Sequence, residues 1–184
     1  MSRFEDRTAT ALLVVDMQRD VVAGGHDRDA VVETIAGLVD RARAGGSPVV
    51  WVQHSDEGMP IDSDGWQLVP ELVPAQGEAV VRKEFGDSFE ATELSDVLAD
   101  LGVGTVVVTG AQTDACIRST LHGALGRGFD TVLVADGHTT EDLRRWGAPI
   151  GPAEAIAYTN LYWEFSRVPD ARGSVALAAD VDFA

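Results

Sequence analysis

"GTVVVTGAQTDACIRSTLHGALGRGFDTVLVAD", residues 104–136, is the stretch on which the fold turns. It opens on a strand-length apolar run, 104–110. A helical stretch follows over 114–128, with Ile117, Leu121, Ala124 and Leu125 on one face. A second apolar run, 130–136, closes it. A strand that is apolar throughout has no side for water, so it belongs in a sheet covered on both faces. Two such strands joined by a helix pair in parallel.

The same alternation extends in both directions. "ALLVVD" (11–16) is a continuous apolar run ending in a carboxylate. Residues 28–46 carry Val31, Ile35, Leu38 and Val39 at helical spacing and end on glycines. "PVVWVQH" (48–54) is a second strand. A polar loop follows, broken by Gly58, Pro60, Gly65, Pro70 and Pro74. "EAVVRK" (78–83) is a third strand, and 93–102 is a short helix with Thr92 as its expected cap. Beyond residue 136, a helix over 152–165 starts at Pro152, a favoured first-turn position. "SVALAAD" (174–180) is the expected sixth strand. Right-handed crossovers then give an α/β class, a three-layer doubly wound fold with a mostly parallel six-stranded sheet. No repeat, linker or low-complexity segment interrupts it, so 1–184 reads as a single domain.

Composition limits the partners. The net charge is −16, which repels nucleic acid and anionic lipid, and no basic run offsets it. Solubility is the plain reading of that charge, with salt tolerance as a further one. The N-terminal "MSRFEDRTAT" lacks a signal-peptide core, and the apolar runs are too short to span a bilayer. A single cysteine excludes an internal disulfide framework, so a cytoplasmic location is expected.

In a doubly wound fold the site lies outside the C-terminal ends of the strands. That rule selects Asp16 after the first strand, Lys83 at the end of the third, and Cys116 in the first helical turn after the fourth. An acid, an amine and a thiol on one sheet edge make a catalytic set in type. Each also has a plainer reading. Near a helix N-terminus Cys116 gains thiolate character, yet a buried structural cysteine is equally common. Asp16 is a general base or a cap for nearby amides. Lys83 is the sole lysine among 14 basic residues, a compact charge suited to sit between carboxylate and thiolate, or a residue left by coding bias. Its place at a strand end favours the first reading.

Metal and nucleotide signals are weak. His26, His54, His122 and His138 are scattered, with no H-x-x-x-H and no C-x-x-C. "VAGGHD" (22–27) lacks both G-x-G-x-x-G and a Walker pattern. His54 lines a pocket or simply ends its strand. Trp66 and Phe89 are pocket walls or ordinary core.

Taken in order, "LLVVDMQRD", "VRKEFGDSF" and "VVVTGAQTDACIRSTLHGALGRGFDTVLVADG" resemble the isochorismatase-like cysteine hydrolase superfamily, from about residue 11 to 140. The resemblance implies an Asp16–Lys83–Cys116 triad that hydrolyses C–N bonds. It also implies a cis peptide between Ala111 and Gln112, and an oxyanion hole from the Gln112 and Cys116 N–H groups. Gln18, His54, Trp66, Phe89 and Gln112 are the candidate substrate contacts. Nicotinamidases of the superfamily carry an Asp-x-His metal motif after the second strand. Here that stretch is "VQHSDEG", so no metal and no cofactor are expected. Isochorismatases lack the nucleophilic cysteine, so Cys116 points to the metal-free amidohydrolase branch, near carbamoylsarcosine-amidase-like or streptothricin-hydrolase-like enzymes. The alternatives are vinyl-ether hydrolysis and a non-enzymatic thiol sensor or binding protein. The expected partners are a small-molecule substrate and further copies of the chain, as a dimer or tetramer, with "AYTNLYWEF" as the interface segment. No nucleic acid and no membrane are expected.

Overall fold

In a computed structural model, residues 2–183 are described. Seven strands form one sheet in the order β3-β2-β1-β4-β5-β7-β6. They are β1 (Ala9–Val15), β2 (Val49–His54), β3 (Ala79–Lys83), β4 (Val103–Ala111), β5 (Asp130–Thr139), β6 (Arg167–Val168) and β7 (Ala171–Ala176). All neighbours pair in parallel except β6, which runs antiparallel to β7. The helices are α1 (Arg19–Val22), α2 (Arg28–Ala44), α3 (Leu94–Asp100), α4 (Arg118–Arg127) and α5 (Pro152–Trp163).

The continuous apolar strands follow from burial on both faces. Ala11, Leu13 and Val15 of β1 pack with Leu94 and Leu98 of α3 and with Leu121, Ala124 and Leu125 of α4. The intervening Leu12 and Val14 pack with Val32, Ile35, Leu38 and Val39 of α2. Strand side chains alternate between faces, so an all-apolar strand serves two helical layers at once. Each such Leu or Val contributes ~1.5–3 kcal/mol on burial.

The expected six strands become seven. β6 has two residues, too few for any periodic pattern, and β7 begins at Ala171 rather than 174 because Ala171 and Arg172 pair with β6 and Gly173 with Thr131 of β5. Residues 178–180, expected in that strand, form a 3-10 turn. At α3 the capping position falls on Glu93, although the Thr92 hydroxyl still accepts from the Leu94 N–H at 3.3 Å. Among the described residues no helix is long and apolar enough to cross a membrane.

The strand order reverses between β1 and β4, the topological switch point at which doubly wound folds build their sites. There the two strands approach closely. Gly110 has φ +120°, and a Cβ on it would lie 1.9 Å from the Val15 carbonyl oxygen. Only glycine fits between the strand ends.

Candidate active site

Asp16 leaves β1 with φ 52°, a left-handed conformation that Asp tolerates better than most residues. Its N–H donates to the Val52 carbonyl at 2.9 Å, which anchors the turn to β2. The carboxylate is buried, and neither oxygen has a well-aligned hydrogen-bond partner. Charge compensates instead: Lys83 Nζ lies 2.7 Å from Asp16 Oδ2.

Lys83 ends β3, two strands away from β1. At about 4.8 Å per strand the backbones stand ~10 Å apart. The long lysine side chain crosses the end of β2 to close that gap. Its ammonium meets three groups: Asp16 Oδ2, Cys116 Sγ at 3.3 Å and the Phe85 carbonyl at 3.1 Å. An ammonium has three donors, and here each has a neighbour.

Cys116 sits in a π turn, Thr113–Ile117, ahead of α4. The peptide between Ala111 and Gln112, where β4 meets this turn, is cis. Burial, and then the Asp16 carboxylate, push the Cys116 thiol up to about 11, against a smaller opposing pull from Lys83. Burial and the carboxylate oppose the thiolate character expected from the helix N-terminus and favour the thiol. Asp16 is likewise raised, chiefly by burial and against the pull of Lys83.

The candidate substrate contacts divide. His54 Nδ1 and Trp66 Nε1 are buried without a protein partner. Gln18 is different. Its amide donates to the His54 and Trp66 carbonyls at 2.8 and 2.9 Å, and its oxygen accepts from the His54 N–H at 2.8 Å. It is a buried strut joining β1 to the 55–77 loop, with nothing left for a substrate. The Gln112 side chain is similarly committed, to the Val21 carbonyl and to Thr140 and Glu141. Phe89 packs in the core, its ring 5.7 Å from that of Phe129.

Two cavities are lined by chain neighbours of the triad residues, though Asp16, Lys83 and Cys116 line neither. One of about 490 Å³ is lined by Ser55, Asp56, Pro60 and Ile61 and by Glu84 and Phe85, which follow Lys83 in the chain. Another of about 270 Å³ lies against Asp114 and Arg118 of the nucleophile turn and Tyr158 and Tyr162 of α5. The loop residues among these, apart from Pro60, carry no sequence signal, because loop residues have no period. Among the described residues no three His, Cys, Asp or Glu side chains gather as a metal would need.

A family model described as the isochorismatase domain matches residues 10–155. A streptothricin hydrolase of Streptomyces noursei is 39% identical over 143 residues, covering 74% of this chain and 57% of that protein. The chain therefore spans little more than half the length of that relative. A maleamate amidohydrolase of Pseudomonas putida is 30% identical over 153 residues, covering 68% of this chain and 70% of that protein. The crystal structure of an isochorismatase from Pseudomonas putida KT2440 superposes with a TM-score of 0.84 at 27% identity. That superposition covers 94% of this chain and 90% of the other.

Proposed function

The chain belongs to the isochorismatase family, and from that premise we propose that it is a cysteine hydrolase cleaving a C–N bond of a small amide, carbamoyl or cyclic amide. One observation carries the reading: a buried ammonium lies 2.7 Å from a carboxylate and 3.3 Å from the chain's sole thiol. A sensor cysteine has no need of that pair. The names of the streptothricin hydrolase and maleamate amidohydrolase relatives support an amide substrate.

In the proposed cycle Asp16 takes the thiol proton, and Sγ attacks the substrate carbonyl carbon. The proton transfer moves negative charge from Asp16 to Sγ while Lys83 stays beside both, so the buried net charge of the triad is unchanged. The raised Asp16 and raised Cys116 narrow the mismatch that burial of the thiol alone would create. The tetrahedral oxyanion accepts from the Gln112 and Cys116 N–H groups, each worth roughly 3–4 kcal/mol of barrier. The C–N bond then breaks, and Asp16 returns its proton to the departing amine or ammonia. Water attacks the Cys116 thioester, Asp16 takes the water proton, and the thiol is restored as the acid leaves.

The unpartnered His54 Nδ1 and Trp66 Nε1 are the proposed polar contacts for the substrate. A cytoplasmic homo-oligomer remains part of this proposal. Tyr158, Leu161 and Phe165 of the α5 segment are exposed and apolar, which supports a self-association face. Light scattering tests it.

An ammonia-release screen of small amides and carbamoyl compounds, followed by mass spectrometry of the quenched protein, tests the function. The expected result is an acyl adduct on Cys116 and loss of turnover in Cys116→Ala. Full turnover by that variant would remove the cysteine from the mechanism.

A further inference from the structure

His138 is 1% exposed, and the proposed chemistry makes no use of it. Burial lowers its pKa from the ordinary histidine value, which favours the neutral ring. A neutral imidazole has one donor and one acceptor, and its neighbours decide which is which. Asn160 Nδ2 donates to the Ala135 carbonyl at 3.1 Å. That orientation turns Asn160 Oδ1 to His138 Nε2, 2.9 Å away. An amide oxygen only accepts, so Nε2 carries the proton. Nδ1 is then the acceptor, and the Thr113 hydroxyl donates to it at 2.8 Å.

Thr113 is the first residue of the π turn, directly after Gln112. Gln112 follows the cis bond, and its carbonyl accepts from the Ala115 and Ile117 N–H groups at 3.1 Å each. A chain of bonds therefore runs from the β5 backbone through Asn160 of α5 and His138 to the turn that presents Cys116. A second tether holds the turn's outer side. Thr140 Oγ1 reaches Asp114 Oδ1 at 2.7 Å and Gln112 Oε1 at 3.1 Å. Removing His138 leaves that tether in place, so the turn is displaced and not unfolded.

We propose that His138 is a positioning residue that locks the Gln112–Cys116 turn, through Thr113, in the register needed to bind an oxyanion. Its effect on turnover rests on the amide-hydrolase reading above. Its effect on the turn does not.

The test is amide hydrogen exchange by mass spectrometry on the full chain, comparing His138→Leu, the near-isosteric Thr113→Val, their double variant and His138→Asn. Losing the tether is expected to speed exchange across 112–117 about tenfold in each single variant, with β1 unchanged. The double variant should add nothing further, since both substitutions cut one chain. His138→Asn, whose side-chain oxygen stands near the place of Nδ1, should recover most of the protection. On a substrate found by the amide screen, kcat should fall about tenfold at constant KM, as expected for an effect on the transition state alone. Wild-type exchange over 112–117 in folded Thr113→Val and His138→Leu overturns the proposal. So does acceleration spread evenly over β1 and β4, which marks a general loss of stability. The exchange readout needs no substrate, so its failure is distinct from failure of the hydrolase reading.

Discussion

Lys83 Nζ and Asp16 Oδ2 stand 2.7 Å apart, with the two side chains 0% and 1% exposed. A buried ion pair gains little over apolar packing, but breaking one leaves an uncompensated charge that costs ~3–5 kcal/mol. Asp16→Asn and Lys83→Met should each lower the melting temperature by several degrees. The double variant should melt at or above the wild type while remaining inactive. Calorimetry on the four proteins checks this. A double variant that melts as low as its worse parent would show that the pair is a structural requirement.

Lys83→Arg keeps the charge and loses the geometry. The guanidinium is a broad planar fork, and the space between Asp16, Cys116 and the Phe85 carbonyl suits a compact ammonium. Turnover on a confirmed amide should fall about 100-fold or more, on the scale of an ångström-level misplacement. Near-normal turnover would return Lys83 to coding bias.

Cys116 titrates late. With the thiol pushed up to about 11, its alkylation by iodoacetamide should rise about tenfold per pH unit between pH 8 and 10, because the thiolate is the nucleophile. The Asp16 carboxylate is the second cause of the raised value, so Asp16→Asn should be alkylated faster than wild type at pH 8. Intact mass reports on this site alone, because the chain has one cysteine. A plateau below pH 8 would mean that the resting residue is a thiolate.

Glu78 sets part of the acid limit. Bonds from Arg43, opposed by some burial and aided by the Ala75 N–H and Trp51 Nε1, lower its carboxyl from 4.5 to about 2. A depressed folded-state pKa contributes stability that is present above 4.5 and lost as pH falls toward 2. The melting temperature of Glu78→Gln should therefore fall less steeply than that of wild type over this window. Circular dichroism melts from pH 2 to 5 measure the slope, and parallel curves would remove Glu78 from the account.

Gly110→Ala should not give a folded protein at 37 °C. Its Cβ would sit 1.9 Å from the Val15 carbonyl, on a backbone with φ +120°. Val15 immediately precedes Asp16, so the clash falls on the catalytic edge. Soluble expression with a wild-type melting temperature would mean that β1 and β4 separate more easily than their register implies.

Strand ends were readable because the end of an apolar run is a local feature. Asp16, Lys83 and Cys116 were each found that way. The Thr113–His138–Asn160 chain was not, because its members are 25 and 22 positions apart and share no period. Gln18 is a substrate-contact candidate in the sequence, and only the folded loop shows its amide used up by His54 and Trp66. The state of the thiol is hidden from the sequence for a similar reason. A helix N-terminus is visible in sequence, whereas desolvation and a carboxylate delivered by another strand are not.

The sequence by itself determined the layers. Unbroken apolar strands must be covered on both faces, and helical stripes between them supply the cover. It also determined that Asp16 and Lys83 stand at the ends of β1 and β3. The order of the strands was decided only by the tertiary structure, because no local pattern says that β2 lies between β3 and β1. On that order depends the ~10 Å gap that a lysine side chain spans to reach Asp16 and Cys116. The lone lysine is legible as an oddity in one dimension and as a bridge between carboxylate and thiol in three.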